Sequence, residues 1–325
     1  MLMLGVDAGG TSTRAVLTNA SGACLGYGVG GRGNPISAGP ERAADGVLEA
    51  VQGAVASAGC AVGDIAVITA AMAGQRASGA GADRLRDRLT AAGFTGQLAF
   101  ESDLLATYFS GTAEEFGYAI VSGTGASVIR ISGGRIDVAS DGLGWLLGDR
   151  GSGFWIGRRI ARAVVQDLDA TGPETALTRG VLDHLGIPSE PTRGDGRSVM
   201  LERIVDALYA RPPIELASLA PLAFATEGDP VAERILRRAG EHLADSLIAV
   251  LTGPGPLVAG GGVLSRPGAV RDAFMRRLGA AAAGLDLRPV VDGVIGAGVL
   301  ALRAGGVPTT DETLATLTVT LARFR

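Results

Sequence analysis

An acidic residue followed by a glycine-rich turn is the first segment of the chain with the composition of a chemical site. Asp7 ends an apolar run, and a short glycine turn follows it: Gly9, Gly10, Thr11, Ser12 and Thr13. Glycine tolerates positive φ values and has no Cβ, so successive amide groups can turn toward one polyphosphate. We predict that these five residues bind the phosphates of a nucleotide and that Asp7 binds Mg²⁺, directly or through water. A plain glycine β-turn is the simpler alternative.

A second glycine turn lies near the middle of the chain, at Ser122-Gly123-Thr124-Gly125-Ala126-Ser127. Gly123 and Thr124 are predicted nucleotide contacts, and Gly125 is assigned to the acceptor substrate. No GK[ST] follows either turn, and both turns join two predicted strands, which argues against a P-loop or a dinucleotide-binding fingerprint. Two such hairpins on opposite sides of a cleft would hold one nucleotide between them.

A third glycine segment, Gly260-Gly261-Gly262, follows a predicted strand over 256–259. A backbone without side chains lets an adenine ring or a ribose lie directly against it. We predict that these glycines contact the adenosine part of ATP, and an ordinary turn before a helix is the alternative.

A carboxylate at the boundary between a strand and a helix is the candidate catalytic base. Asp103 follows a predicted strand over 97–100, and a helix is predicted to open around Leu104. In phosphoryl transfer, a carboxylate so placed orients the acceptor hydroxyl and accepts its proton late. The alternative is that Asp103 only caps the helix, together with Ser102.

The predicted elements around these turns repeat along the chain. The first half has strands at 2–7, 13–18, 23–29, 64–69 and 97–100, with helices at 40–59, 83–92 and from 104. A second meander has strands at 118–122, 127–131 and 135–139. Helices are then predicted near 153–168, 174–184, 197–209, 215–226 and 230–251. Strands at 256–259 and 286–291 and helices at 268–282 and 293–303 complete the second half. This repeat predicts a duplicated α/β fold. Its two lobes are residues 1–115 with 297–325, and residues 116–296.

Composition restricts the class of protein. The 325 residues are 47% apolar with a net charge of -4, which is typical of a packed protein and not of a disordered one. Basic residues do not cluster in a run, and no apolar run reaches about 18 residues, so we predict a cytoplasmic protein that binds neither nucleic acid nor membrane. Cys24 and Cys60 stand alone, which argues against disulfide, zinc and iron–sulfur sites.

The three glycine segments and the helix beginning Gly293-Val294-Ile295-Gly296-Ala297-Gly298 resemble the superfamily of sugar kinases, heat-shock chaperones and actin, whose fold is a duplicated ribonuclease H-like domain. More narrowly, Gly33-Asn34-Pro35, Glu101-Ser102-Asp103 and the run from Gly142 to Gly153 are similar to the BadF/BadG/BcrA/BcrD-type ATPase family, which includes N-acetylglucosamine kinases. The resemblance implies transfer of phosphate from Mg-ATP to the 6-hydroxyl of N-acetylglucosamine by a homodimer.

The same resemblance implies that Asn34 and Asp149 bind sugar hydroxyls and that Trp145 lies beside the sugar. A turn position before Pro35 is the alternative for Asn34, and a core position is the alternative for Trp145. Two segments depart from the family pattern. Arg150 stands where these kinases commonly have an acidic residue, and the stretch 72–76 lacks an expected serine.

Alternative substrates within the family are glucosamine and N-acetylmuramic acid. A carboxylate facing the 2-position would favour a free amine, whereas an apolar pocket would favour an acetyl group. A different class is the ATPase activator of 2-hydroxyacyl-CoA dehydratases and benzoyl-CoA reductases, which needs paired cysteines for an iron–sulfur cluster. A filament-forming or chaperone module is a third class, and the zinc-binding cysteines of ROK sugar kinases are missing.

Overall fold

Five β-strands and four α-helices are described in the first part of the chain. The computed structural model describes residues 1–72, 79–190, 192–194 and 196–325. The elements are β1 (Leu2–Ala8), β2 (Thr13–Asn19), β3 (Cys24–Gly30), α1 (Pro35–Ala38), α2 (Pro40–Ala58), β4 (Ile65–Met72), α3 (Ala80–Ala91), β5 (Gln97–Ser102) and α4 (Asp103–Gly111). The predicted order of strands and longer helices in this half is confirmed.

The second part adds more helices between its strands. Its first elements are β6 (Gly117–Ser122), β7 (Ala126–Ser132), β8 (Arg135–Asp141), α5 (Gly144–Leu147), α6 (Gly153–Leu168), α7 (Leu177–Leu185), β9 (Arg193–Gly194), β10 (Arg197–Ser198), α8 (Val199–Tyr209), α9 (Ala220–Ala225) and α10 (Pro230–Ile248). The last are β11 (Gly255–Gly260), α11 (Ala269–Leu278), β12 (Leu285–Pro289), α12 (Gly293–Ala304) and α13 (Asp311–Leu321). Within the described ranges, no helix combines the length and apolar character needed to cross a bilayer.

Two five-stranded sheets share one topology. The first has the order β3-β2-β1-β4-β5, and the second, taken from its other edge, has the order β8-β7-β6-β11-β12. In each sheet the central strand is antiparallel to its hairpin partner and parallel to the strand on its other side, as β1 is to β2 and β4, and as β6 is to β7 and β11. The predicted duplication is therefore confirmed.

Two helices join the sheets. α12 follows the last strand of the second sheet but packs against β1, where a Cβ on Gly5 would lie 2.3 Å from the backbone of Ala297. It also touches α4 so closely that a Cβ on Gly296 would lie 1.6 Å from the carbonyl oxygen of Ala106. Residues of both sheets meet α4 and α12 in one apolar cluster, which includes Leu105, Tyr108, Ile129, Val258 and Val294. The predicted lobe boundary after residue 296 falls inside α12, so the division into lobes stays a prediction.

Several elements differ from the predictions. The short helices α1 and α5 and the C-terminal helix α13 were not predicted; α13 is rich in β-branched threonine and buries few residues, so its sequence carries a weak helical pattern. The helix predicted over 215–226 is a 3₁₀ segment, Pro213–Leu219, followed by α9. The helix predicted to reach Ala282 ends at Leu278, because Gly279 has a left-handed φ of 54° and begins a 3₁₀ turn.

Candidate active site

The first glycine hairpin joins β1 to β2 and exposes its tip. The amide of Gly9 donates to the carbonyl of Ser12 at 3.1 Å, which closes the turn. Gly10, Thr11 and Ser12 are exposed, so their amide groups are accessible to a ligand. Thr13 is fully buried, and its hydroxyl donates to the carbonyl of Gly31 at 2.7 Å. The Thr13 side chain thus holds the base of the hairpin and has no exposed surface with which to touch a nucleotide, which corrects its predicted role.

Asp7 is part of a chain of alternating charges. Arg14 donates to the Asp7 carboxylate at 2.5 Å and to the Asp292 carboxylate at 2.9 Å. Arg325 pairs with the other oxygen of Asp292. Burial raises the pKa of Asp7, and Arg14 only partly offsets that effect. Sequence analysis missed Arg14 and Asp292, although Arg14 stands directly opposite Asp7 in the β1–β2 register.

The side chains around Asp7 are compatible with a Mg²⁺ ion whose other ligands would be phosphate oxygens and water. No cluster of three or more acidic, histidine or cysteine side chains that could enclose a metal exists among the described residues. Mg²⁺ in phosphoryl-transfer sites is typically bound by one or two carboxylates, phosphate oxygens and water. The Asp7 side chain is 16% exposed and has one oxygen engaged by Arg14. Asp7 alone therefore fits the role of a single protein ligand.

Main-chain hydrogen bonds hold the second hairpin, which joins β6 to β7. The amide of Gly123 donates to the carbonyl of Gly125 at 2.9 Å. The first amides of α6 bind the same turn, because Gly153 donates to Gly123 at 2.7 Å and Phe154 donates to Thr124 at 3.1 Å. These bonds place the N-terminus of α6, whose partial positive charge favours anions, directly behind the hairpin.

The third glycine segment joins the second hairpin around one cavity. Gly261 has a φ of 92°, and a Cβ there would lie 2.3 Å from the carbonyl oxygen of Ser122. The amide of Val263 donates to that same oxygen at 2.9 Å. The resulting cavity, of about 310 Å³, is lined by Gly123, Thr124, Gly153, Phe224, Gly262 and Arg266, among others. Phe224 and Arg266, whose guanidinium lies 5.3 Å above the Phe224 ring, were missed by sequence analysis.

Asp103 is the first residue of α4, immediately after β5. The hydroxyl of Ser102 accepts from the amide of Leu104 at 3.2 Å, and Oδ1 of Asp103 accepts from the same amide at 2.9 Å. Helix capping is therefore shared, as the alternative reading held, but Oδ2 of Asp103 makes no hydrogen bond with the described residues. Burial raises the pKa of Asp103, the Leu104 amide partly offsets it, and the negative charge of Asp7 adds to the rise. Asp7 and Asp103 lie at the same edge of the first sheet, where Ala71 of β4 pairs with both Asp7 and Glu101.

Asn34 lies against the first hairpin. Its amide donates to the carbonyl of Gly9 at 3.2 Å, beside a similar bond of 3.0 Å from Gly33. Its side-chain oxygen accepts from the amide of Ile36 at 2.9 Å and caps α1. The side-chain nitrogen of Asn34 makes no hydrogen bond with the described part of the chain and stays available to a ligand. Asn34 thus caps the turn before α1 and also presents a side-chain nitrogen beside the first hairpin that could bind a ligand.

Asp149 lies in a strained loop that Asp141 anchors. Both residues have left-handed backbones, with φ of 56° for Asp149 and 64° for Asp141, an uncommon conformation that is often retained at functional sites. The Asp141 carboxylate accepts from the amides of Asp149 at 2.6 Å and Arg150 at 2.8 Å. The buried Asp149 carboxylate accepts from the amide of Ala126 at 3.2 Å and would lie 3.1 Å from a Cβ on Gly125. Asp149 and Gly125 are therefore neighbours, and sequence analysis missed Asp141.

Trp145 and Arg150, which come before and after Asp149 in the sequence, have different neighbours. Trp145 is 40% exposed and lies 5.6 Å from the ring of Phe154, so it is not the core residue of the alternative reading. The guanidinium of Arg150 meets Nδ1 of His242 on α10 at 2.5 Å. Burial lowers the pKa of His242, and the charge of Arg150 lowers it further, which favours the neutral ring as the acceptor. The predicted departure at 72–76 lies outside the described residues, apart from Met72.

Most of the predicted site residues fall into two groups. Asp7, the first hairpin, Asn34 and Asp103 lie at one edge of the first sheet, where β1, β4 and β5 end. The second hairpin, the third glycine segment and Asp149 lie together at the corresponding edge of the second sheet.

A family comparison covers nearly the whole chain. The sequence model of the BadF/BadG/BcrA/BcrD ATPase family matches residues 4–301. An N-acetyl-D-glucosamine kinase from Dictyostelium discoideum is 28% identical over 297 residues, which are 85% of this chain and 90% of that protein. A glucosamine kinase from Vibrio cholerae is 26% identical over 251 residues, 76% of this chain and 79% of its own length.

Solved structures give the same fold. A structure from Chromobacterium violaceum, described as a candidate N-acetylglucosamine kinase, has a TM-score of 0.71 and 25% identity and covers 92% of this chain and 98% of its own. A ROK hexokinase from Thermus thermophilus has a TM-score of 0.54 with 24% identity over 94% of this chain and 99% of that one, which bears on the fold alone. These matches agree with the duplicated α/β fold and its two equivalent hairpins. The chain belongs to the BadF/BadG/BcrA/BcrD ATPase family.

Proposed function

We propose that this protein is an ATP-dependent amino-sugar kinase that phosphorylates the 6-hydroxyl of N-acetylglucosamine. The observation that carries the proposal is the approach of Asp7 to Asp103. Both carboxylates stand at the same edge of the first sheet, because Ala71 of the intervening strand β4 pairs with Asp7 of β1 and with Glu101 of β5, two residues before Asp103. The negative charge of Asp7 also adds to the rise in the pKa of Asp103. One carboxylate beside a glycine hairpin and a second at a helix start form a phosphate-and-metal site next to a base.

ATP lies between the two hairpins in this proposal. The exposed amides of Gly10, Thr11 and Ser12 bind phosphate oxygens from one side, and the exposed amide of Thr124 binds from the other, while the amides of Gly9 and Gly123 close their own turns. The adenosine occupies the cavity of about 310 Å³ beside Gly260–Gly262, where Phe224 and Arg266 offer a ring and a cation. The N-terminus of α6 adds favourable electrostatics for a polyphosphate.

Asp103 is the proposed base. Its Oδ2 is free to accept a hydrogen bond from the acceptor hydroxyl and then its proton, while Oδ1 stays on the Leu104 amide. Asp7 is the proposed protein ligand of Mg²⁺, and the ion would neutralise charge on the transferred phosphoryl group. Arg14 keeps Asp7 in place and favours its ionised form.

The sugar would bind between Asn34 and Asp149. The free side-chain nitrogen of Asn34 can donate to a hydroxyl, and the Asp149 carboxylate can accept from one. Trp145 is exposed enough to cover an apolar face of the ring, and Gly125 leaves space beside Asp149. The choice of N-acetylglucosamine over glucosamine rests on the relatives, whose names include both sugars.

The activator class receives less support. It requires cysteines that hold an iron–sulfur cluster between subunits, but Cys24 is 6% exposed in β3 and burial raises the pKa of its thiol to about 11. Cys60 follows α2, away from the glycine segments described above. A cytoplasmic location and a homodimer stay predictions from the sequence and its resemblance.

A coupled ADP-release assay with glucosamine, N-acetylglucosamine, N-acetylmuramic acid and glucose tests the function. We expect ADP production that depends on an amino sugar and on Mg²⁺, with the largest kcat/KM for N-acetylglucosamine, and a 6-phosphate product by NMR. ATP hydrolysis that none of the four sugars stimulates would contradict the kinase assignment. A preference for glucosamine would keep the kinase and overturn its substrate.

A further inference from the structure

A groove on the helical side of the second sheet has the size of a ligand site. It lies between α6, α8 and the 3₁₀ segment Pro213–Leu219 and has a volume of about 660 Å³. Small-molecule sites commonly range from about 300 to 1,000 Å³. Aliphatic side chains form its floor: Ala161, Val165, Ile204, Leu208 and Leu216.

This groove is separate from the proposed ATP cavity. The 3₁₀ segment divides the two, because Leu216 lines the groove while its neighbour Ala217 lines the cavity. The same segment lies directly against α6, where a Cβ on Gly157 would come within 1.8 Å of the carbonyl oxygen of Leu216. The groove therefore has a fixed wall that the proposed kinase site does not use.

Three guanidinium groups line the groove, and none of the lining residues that the structure describes is acidic. Arg158, Arg162 and Arg211 are exposed lining residues, and none of them forms an ion pair with a carboxylate of the described residues. Of the other described arginines, thirteen form such pairs and twelve do not. The cations of the groove are thus left for an external anion.

The helix α6 concentrates this charge. Arg158 and Arg162 are one turn apart on the same face, and Arg159 lies between them, an arrangement of like charges that costs a helix stability. The pKa of Arg159 is lowered, chiefly by burial and then by the positive charges of Arg162, Arg158 and Arg238, the last on α10. An anion bound at Arg158 and Arg162 would relieve this repulsion.

We propose that the groove binds a small amphiphilic anion, with an aliphatic or aromatic body and a phosphate, sulfonate or carboxylate head. The aliphatic floor removes the body from water, which is favourable in proportion to the apolar area buried. The planar guanidinium groups of Arg158, Arg162 and Arg211 bind the head, since their paired donors match the oxygens of these groups. Both parts of the site are needed for tight binding. An inorganic anion has no apolar body to bury on the floor, and a neutral amphiphile has no charged head for the arginines to bind.

Calorimetric titration of the whole protein with octyl phosphate, below its micelle concentration, tests the proposal. Inorganic phosphate and octyl glucoside serve as matched ligands that lack the body or the charge. We expect octyl phosphate to bind at least tenfold more tightly than either. The double variant Arg158→Gln with Arg162→Gln should weaken binding of octyl phosphate about tenfold or more.

A control variant with the same charge change is Arg276→Gln with Arg323→Gln, because both residues are exposed and lie on or after other helices, α11 and α13. It should bind like the wild type. Val205→Glu places a negative charge at the edge of the groove on a residue that is 41% exposed, and it should also weaken binding. Circular dichroism of each variant confirms that it is folded.

Three results would overturn the proposal. They are equal affinity for octyl phosphate and octyl glucoside, equal loss of affinity in both double variants, and a dimer in sedimentation that the Arg158 and Arg162 variant dissociates. The last result would assign the groove to a second copy of the chain. Binding at the groove is measured without ATP or sugar, so it stands or falls independently of the kinase assignment.

Discussion

The two glycine hairpins occupy equivalent places in the two sheets but are held by different bonds. Asp7 is the last residue but one of the central strand β1, and Ser122 is the last residue of the central strand β6. Asp7 is held by the guanidinium of Arg14, which continues to Asp292 and Arg325. Ser122 is fully buried and neutral, and its hydroxyl donates to the carbonyl of Gly151 at 3.0 Å.

In the proposed mechanism, this difference gives the two halves different roles in phosphoryl transfer. The first hairpin carries the charged side chains of Asp7 and Arg14, and Asp7 can bind a metal ion. The negative charge of Asp7 also adds to the rise in the pKa of the neighbouring Asp103. The second hairpin carries no ionised side chain of its own and offers backbone groups fixed by α6 and by Val263. In the proposed mechanism, the duplicated backbone supplies two phosphate-binding turns, of which the first carries charged side chains and the second offers only backbone groups.

The largest effect is expected from Asp103→Asn, which removes the chemistry of the first half and leaves the second half intact. Phosphorylation should fall by about 10²–10⁴, since a positioned base contributes that much. ATP affinity should stay within about twofold. The melting temperature should rise by about 1–3 °C, because burial disfavours the ionised carboxylate and an amide avoids that penalty.

Asp137→Asn is the control for this variant, since Asp137 is an exposed residue paired with Arg130 on the neighbouring strand. It should leave activity unchanged. An Asp103→Asn enzyme with near-normal kcat would remove Asp103 from the base role.

The next effect should come from Arg14→Gln, compared with Ser122→Ala at the equivalent hairpin. Loss of Arg14 leaves Asp7 and Asp292 with less compensation, so kcat/KM should fall about 10–100-fold and stability by about 1–3 kcal/mol, less than for a fully buried pair because Arg14 is a third exposed. Ser122→Ala should cost about 1–2 kcal/mol of stability through the unpaired carbonyl of Gly151, with a small effect on rate.

The pH profile separates these two hairpins further. Because Asp7 and Asp103 both have raised pKa values and must be ionised to act, activity should fall at a higher pH than for ordinary carboxylates as the solution is acidified. Removing the positive charge of Arg14 should raise the pKa of Asp7 further, so the acid limb of the kcat/KM profile should move to still higher pH. Arg14→Lys should restore most of the wild-type profile, and Ser122→Ala should not move it. An acid limb that is identical in the Arg14→Gln enzyme would contradict the pairing.

A smaller effect is expected where the second half depends on backbone fit. Gly261→Ala puts a Cβ 2.3 Å from the Ser122 carbonyl at a positive φ, so it should destabilise the protein and raise the Kd of ATP about tenfold. Gly262→Ala meets nothing within 4 Å and should leave stability unchanged, although it lines the cavity. Thermal melts and nucleotide titrations of the pair test whether the third loop is positioned by Ser122.

The smallest effect should follow Asp141→Asn, which weakens the anchor of the Asp149 loop. An amide oxygen can replace only part of the carboxylate that accepts from Asp149 and Arg150. We expect the KM for the sugar to rise about three- to tenfold, with kcat and the KM for ATP unchanged. Steady-state kinetics with each substrate varied in turn would show this separation, and an equal rise in both KM values would contradict it.

Much of the fold was predictable because its signals are local. Alternating apolar residues and glycine turns marked the hairpins at Gly9 and Gly123, and the restart of the same pattern revealed the duplication. The C-terminal helix α13 escaped prediction because its threonine-rich sequence favours no single period, and its burial comes from packing against the rest of the fold.

The site was predictable only where its residues lie on a turn or at an element end. Asp103 stood out for that reason, whereas Asp149 was proposed only from the family resemblance. Arg14, Asp292 and Arg325 meet only after α12 crosses to the first sheet, so no local pattern connects them. Asp141 escaped notice because its role depends on a left-handed backbone that the sequence does not reveal for an aspartate.

A crystal structure with a non-hydrolysable ATP analogue, Mg²⁺ and N-acetylglucosamine tests the central claim most directly. It should show amides of Gly10 and Thr11 and the amide of Thr124 on the same triphosphate, with the terminal phosphate facing the sugar hydroxyl that Asp103 binds. A nucleotide held by only one hairpin, or a sugar hydroxyl out of hydrogen-bond reach of Asp103, would contradict the account.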